Sequence, residues 1–235
     1  MTVPTATATA TPSASRGAAA PRLRVQVLGL LPYGEALALQ EERLAAVAGG
    51  QGDELLLVEH PHVYTLGRGA DADDLRGAPQ RLGVPVFRIG RGGGATYHGP
   101  GQMVGYPIVR LRAAGRDVHR YVRALEAALT DACAAYGVTG TTPEGQTGVW
   151  VGERKLASIG IGVRRGVAWH GVALNVDPDL SYFAHIVPCR GSGLAVTSLR
   201  ELLGRAPGLG EVGDVFAACL ARRLDFATAV TEPRA

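Results

Sequence analysis

Apolar positions along the chain change period several times, and each change marks an element. Arg24 to Leu28 (RVQVL) alternates apolar and polar residues as a strand does, and Gly34 to Ala48 repeats them at helical spacing. Glu54 to Glu59 (ELLLVE), Val63 to Leu66 and Pro85 to Ile89 read as strands; the run of leucines predicts burial of the first on both faces. Met103 to Arg112 predicts another strand. Asp117 then caps a long helix carrying Val118, Tyr121, Val122, Leu125, Leu129, Cys133 and Tyr136 on one face, with Gly137 at its end. From Gly148 to Val176, GVWV, LASIGIGV and VAWHGVALNV predict three successive strands joined by turns at Gly152-Glu153 and Arg165-Gly166. Short helices follow at Ser198 to Leu203 and Glu211 to Leu224.

This mixed order predicts an α/β fold of the α+β sandwich kind, with a mixed, largely antiparallel sheet and packed helices rather than a doubly wound parallel one. No linker interrupts residues 22–226, so one domain is expected. Residues 1–21 are Thr, Ala, Pro and Ser with almost no large apolar side chains, the composition of a disordered tail. Residues 227–235 read as a second loose tail.

Composition narrows the classes. With 235 residues, 46% hydrophobic and 19% charged, the chain is long enough for one sizeable core. No apolar run reaches the roughly 18 residues of a membrane span, and the N-terminus has neither the basic start nor the apolar stretch of a secretory signal. A net charge of +3 is too small to argue for nucleic acid but leaves room for an acidic partner. Three scattered cysteines make no disulfide framework, so a reducing cytoplasm is the default. A monomer is expected. Lys155 is the one lysine among 24 basic residues, the rest being arginine, and Asn175 is the one asparagine.

Seven glycines fall between Gly90 and Gly105 in IGRGGGATYHGPGQMVG. Gly90 to Ala95 formally matches a dinucleotide-binding pattern, but that site needs a helix to open at once, and Gly99-Pro100-Gly101 forbids one. A Walker loop is excluded because the loop has no lysine. What remains is a loop whose backbone can approach a ligand closely, with Arg91, Thr96, Tyr97, His98 and Gln102 as polar handles.

Cys133 and Cys219 fall on apolar helical faces and read as small core residues. Cys189 follows Pro188 and precedes Arg190-Gly191-Ser192-Gly193, a polar loop beside a cation, where thiols become reactive. His60 and His62 lack companions at ligand spacing and read as structural, so no metal site is expected. His98 and His170, each beside glycine, are better site candidates. Asp177 and Asp179 read as turn residues. Strand alternation puts Lys155, Ala157 and Ile159 on one face, which would partly desolvate the amine. A desolvated amine loses its proton more readily, whereas a neighbouring thiolate would hold it as ammonium.

Three separated stretches, RGGGATYHGPGQMVGYPI (91–108), GVWVGERKLASIGIGVRRGVAWHGVALNV (148–176) and DLSYFAHIVPC (179–189), resemble the lipoyl(octanoyl) transferases over roughly residues 25–225. The resemblance implies the fold of the biotin and lipoate protein ligase catalytic domain. It implies transfer of an octanoyl group from octanoyl-acyl carrier protein to a lysine of lipoyl domains, in 2-oxoacid dehydrogenase complexes and the glycine cleavage H protein. By position, Cys189 becomes the acyl-accepting nucleophile and Lys155 its partner. Arg91, Gly92, Gly93, Gly94, Ala95, Thr96, Tyr97 and His98 become one substrate-binding segment. Ser158, Ile159 and Gly160 become a second, and Gly171, Val172 and Ala173 a third. One departure is that Arg190 follows the cysteine where the family usually has glycine.

The implied chemistry needs no cofactor, because a thioester is already activated toward an amine. A ligase of the same fold, activating a free acid with ATP, is the first alternative; it needs a lysine but no nucleophilic cysteine. A non-catalytic module that binds carrier or lipoyl domains is the second, and it needs neither.

Overall fold

The computed structural model describes residues 21–75, 81–111, 118–187, 195–227 and 229–232. Among the described residues, ten strands form two sheets. The large sheet runs β10-β1-β2-β6-β9-β8-β7, and a small one runs β4-β3-β5. The strands are β1 (Leu23–Leu30), β2 (Glu54–Glu59), β3 (Val63–Leu66), β4 (Val86–Arg88), β5 (Ala95–His98), β6 (Gln102–Arg110), β7 (Val149–Val151), β8 (Arg154–Arg164), β9 (Val167–Asn175) and β10 (Ala229–Glu232). In the large sheet β1 is parallel to β10 and β2, while every other pairing is antiparallel. The mixed, largely antiparallel sheet is as the hydrophobic pattern predicts.

Helices cover both faces. On one side α2 (Val118–Ala134) and α4 (Leu209–Arg223) bury Leu125, Leu129, Phe216 and Leu220 against Leu55, Leu57, Val172 and Leu174. On the other, α1 (Tyr33–Ala48) brings Leu44 and Val47 to Leu56, Val104, Ile108 and Trp169. With helices on both sides, β6 is buried at every position but its last and β9 at every position, so both read as nearly unbroken apolar runs. The hairpin between β8 and β9 closes on Arg165 (φ 53°) and Gly166 (φ 74°), two consecutive left-handed residues that match the twist of the strands they join. Ser198 caps the short helix α3 (Leu199–Leu203), its side chain accepting from the Glu201 amide.

Two elements differ from the sequence reading. The stretch 227–235, expected as a loose tail, contributes β10, whose backbone extends the sheet beside β1 from Leu23↔Ala229 to Gln26↔Glu232. Four residues of a polar terminus carry too little periodicity to reveal a pairing made across the whole chain. Likewise Ala95–His98, expected as loop, is a strand antiparallel to β3. Its glycine-rich surroundings mask the β-forming Thr-Tyr-His run. The expected tail 1–20 and the helix cap Asp117 lie outside the described residues.

Candidate active site

A cavity of about 610 Å³ opens between the glycine-rich loop and the strand pair β8–β9. The start of the loop is fastened on two sides. Arg91 is buried, and its guanidinium donates to the Thr65 carbonyl (2.9 Å), to Thr65 Oγ1 (2.8 Å) and to the Gly92 carbonyl (3.0 Å). The Gly92 amide donates to the Ile161 carbonyl at 2.8 Å. Arg91 therefore staples the loop to β3, while Gly92 ties it to β8. Gly160 is where the two layers meet, since a Cβ there would lie 2.8 Å from Arg91 Cδ.

Lys155 reaches the cavity through an irregularity in β8. Val149 pairs with Ala157 and Trp150 with Lys155, so β8 carries one extra residue, Leu156, over that step. Such a bulge shifts the alternation of side chains by one. Leu156 and Ala157 both enter the core under the helices, and Lys155 lines the cavity with Ser158 and Gly160. Simple alternation, which grouped Lys155 with Ala157, is corrected by this bulge. The ammonium lies 5.2 Å from the Trp150 ring centroid, a contact that favours the charged form. Gly148 (φ 120°) makes room for the stem: a Cβ on it would sit 2.8 Å from Lys155 Cε.

Of the sequence-derived site residues, Lys155, Arg91, Gly93, Gly94, Ala95, Thr96, His98, Ser158, Ile159, Gly160, Gly171, Val172 and Ala173 line this one cavity. Gly92 and Tyr97 do not. Gly92 is spent on the bond to Ile161, and Tyr97 turns to the far side of β5. There Tyr97 is fully buried, its hydroxyl 2.7 Å from His62 Nδ1 and its ring stacked on Tyr182 at 4.9 Å. Cys189 lies outside the described residues. The sequence reading missed Tyr33, Tyr106, Gln146, Trp150, Phe183 and Ile186, which also line the cavity. Trp150 was the most detectable of these, standing in the predicted strand just before the Lys155 turn. Among the described residues no group of three metal-ligating side chains occurs, and no helix is long and apolar enough to cross a membrane.

A chain of buried amides joins the glycine loop to the Lys155 strand. Asn175 Nδ2 donates to the Thr197 carbonyl (3.0 Å), and Gln102 Nε2 donates to Asn175 Oδ1 (2.9 Å). Gln102 Oε1 lies 2.7 Å from His98 Nδ1, and the Thr197 amide donates to the Lys155 carbonyl (3.0 Å). Only acceptors exist on the Thr197 carbonyl, so it orients the Asn175 amide, which orients Gln102, which makes His98 the Nδ1–H tautomer. Asn175→Asp would set a carboxylate oxygen against the Thr197 carbonyl. Each unsatisfied buried group costs about 1–3 kcal/mol. We therefore expect urea unfolding to show a loss of roughly 2–5 kcal/mol at neutral pH; a loss under about 0.5 kcal/mol would show the relay to be dispensable.

Burial disfavours the charged form of three imidazoles, His98 and His170 in the cavity wall and His60 beside His98. Burial lowers His60 to about 4, partly offset by its bond to the Leu31 carbonyl. Burial lowers His98 to about 3, with the neighbouring His60 adding to the effect. His170 also falls to about 3, first by burial and then by the charges of Arg91 and Arg68. An unfolded imidazole titrates near 6.5. Between that value and the folded ones, the unfolded chain takes up protons that the folded chain refuses, so stability falls with pH at roughly 1 kcal/mol per unit for each histidine. Above about pH 6.5 both states are neutral and the dependence vanishes. Thermal melts should thus hold level from pH 8 to 7 and drop steeply from 6 to 5; a level midpoint down to pH 5 would contradict the neutral assignment.

A mixed sheet between helical layers is a fold that this chain shares with lipoate and biotin protein ligases. A bi-partite lipoate protein ligase from Thermoplasma acidophilum superposes with a TM-score of 0.69 at 18% identity, covering 90% of this chain and 88% of that one. Biotin protein ligase from Aquifex aeolicus gives 0.51 at 12% identity over 87% and 69% of the two chains. Residues 32–221 match the lipoyl protein ligase A/B catalytic domain, and the chain belongs to that family. Among curated relatives it is 50% identical over 203 residues to the octanoyltransferase of Solibacter usitatus, covering 85% of this chain and 91% of the relative. It is 49% identical over 197 residues to the octanoyltransferase of Geobacter sulfurreducens, covering 83% and 82%.

Proposed function

We propose that this protein is an acyltransferase that moves an octanoyl group from octanoyl-acyl carrier protein to a lysine of a lipoyl domain, through a thioester on Cys189. The observation that carries this reading is the convergence of Lys155, the glycine loop and the Ser158–Gly160 and Gly171–Ala173 segments on one cavity. Support also comes from the covalent chain. Ile186 lines the cavity, and the three residues from it to Cys189 span at most about 11 Å. Six residues after Cys189, the Ala195 carbonyl accepts from the Lys155 amide at 2.8 Å. The names of the 50%-identical relatives agree with the reading.

In the first step the Cys189 thiolate attacks the thioester carbonyl carbon. The bond from that carbon to the pantetheine sulfur breaks, and the departing thiolate takes a proton from the Lys155 ammonium. Lys155 is now neutral. In the second step the amine of the acceptor lysine attacks the acyl-enzyme carbonyl and gives a proton to Lys155. The carbon–sulfur bond breaks, Cys189 returns as thiolate, and an amide remains. No oxidant, nucleotide or metal enters the balance. Amides of the glycine loop suit the developing oxyanion, as donors fixed before the charge appears.

Intact mass spectrometry tests the reading. The protein mixed with octanoyl-acyl carrier protein and no nucleotide should gain one octanoyl group and pass it to an added lipoyl domain. Transfer that occurs only from free octanoate with ATP would replace this reading with that of a ligase.

A further inference from the structure

β9 departs from extended backbone geometry at one residue while its ladder with β8 continues. His170 has φ 57°, rare for a non-glycine residue in a strand and costly enough to persist only when the surroundings enforce it. Its neighbours Ala168 and Val172 point into the core under α2 and α4, and alternation would send His170 the same way. The left-handed backbone turns it instead to the cavity, where its ring stacks on Trp169 at 3.9 Å.

The cause lies on β6. Pairing between β6 and β9 holds at Gly105↔Val172 and again at Val109↔Ala168, with no pair recorded between them. Pro107 sits in that gap and has no N–H to donate. The His170 amide donates instead to Gln40 Oε1 of α1, a fully buried side chain, at 3.2 Å. Neither ring nitrogen of His170 has a hydrogen-bond partner, and the residue is buried in the cavity wall. A strained, unsatisfied group held this firmly calls for a functional explanation.

Register gives the scale. From Ala157↔Leu174, near Lys155, to Ile161↔His170, β8 advances four residues, or about 13 Å. An extended octanoyl chain, with bonds of about 1.5 Å in a zigzag, is about 9 Å long, and a van der Waals contact of about 4 Å at its methyl end completes the span. Tyr33 and Tyr106, both buried, line the same cavity.

We infer that His170 is the stop of the acyl channel: its ring, turned inward by the Pro107 gap and held by Gln40, meets the terminal methyl and limits the chain to about eight carbons. This inference rests on the transferase reading above. His170→Gly removes the ring and accepts the left-handed backbone without strain. Given equimolar carrier-protein donors of 6, 8, 10 and 12 carbons, this variant should raise the C10:C8 transfer ratio by about tenfold, the worth of two further buried methylenes at about 0.8 kcal/mol each. An unchanged ratio, with wild type transferring C8, overturns the inference alone. Wild type that transfers none of the donors overturns the transferase reading and the inference with it. If His170→Gly fails to fold, wild type loaded with an octanoyl group bearing a terminal diazirine decides the matter. Photolabel on the peptide holding Trp169 and His170 supports the stop, and label confined to Phe183 or Ile186 refutes it.

Discussion

Cys189→Ala is expected to take up no octanoyl group and to lose all transfer, while Cys133→Ala and Cys219→Ala remain acylated. The physical ground is the state of the other two thiols. Cys133 is fully buried between α2 and α4, and burial pushes its thiol up to about 12, leaving on the order of one molecule in 10⁵ ionised at pH 7. Cys219 is buried beside it; burial raises its thiol, and the Arg222 guanidinium at 3.1 Å offsets only part of the rise. Neither can present a thiolate to a thioester. In sequence, Cys189 is followed by Arg190 and Gly191, a cation and a glycine next to the thiol that the proposed chemistry uses. Even an unshifted thiol near 8.5 is about 3% thiolate at pH 7. Intact mass of the three variants after exposure to octanoyl-acyl carrier protein checks this. An adduct that survives Cys189→Ala would remove Cys189 from the proposed chemistry.

The second large effect is expected at Lys155. Lys155→Arg should lower kcat by about 10²- to 10⁴-fold, the usual worth of a positioned proton donor and acceptor, with KM and the thermal midpoint little changed. Arginine keeps its charge at any working pH, so it could hold a thiolate but could not take the proton from the attacking amine. The lysine stem passes Gly148, whose missing side chain leaves it room, and the head rests 5.2 Å from the Trp150 ring centroid. Stopped-flow or steady-state transfer assays beside circular dichroism measure the split. Turnover within about threefold of wild type would exclude Lys155 as the proton carrier.

Much of the architecture was legible in the chain. Alternation marked β1, a continuous apolar run marked β2, apolar stretches between turn signals marked β8 and β9, the helical repeat marked α1 and α2, and Arg165-Gly166 marked its hairpin. These signals are local, set by residues within a few positions of one another, so no partner need be known to read them. The family motifs also brought thirteen of the sixteen named site residues to one cavity wall. Where reading failed, the deciding contact was distant in sequence. Tyr97 left the wall because His62 and Tyr182 receive it on the other side of β5, and β10 formed because β1 offered an open edge.

The lone lysine and the lone asparagine show the division most clearly. Composition singled out both, and the motif around Lys155 gave it a chemical reason. Its direction came from a bulge at Leu156, created by pairing with β7, which no periodicity in β8 announces. Asn175 acquired a role only when the fold set Gln102 and Thr197 on either side of it. His170 depends on a proline in β6, 63 residues away along the chain, that leaves a gap in the ladder. Residue types and local periods belong to the sequence because they follow from bonded neighbours; side-chain direction at a broken strand belongs to the tertiary structure because a non-bonded partner sets it.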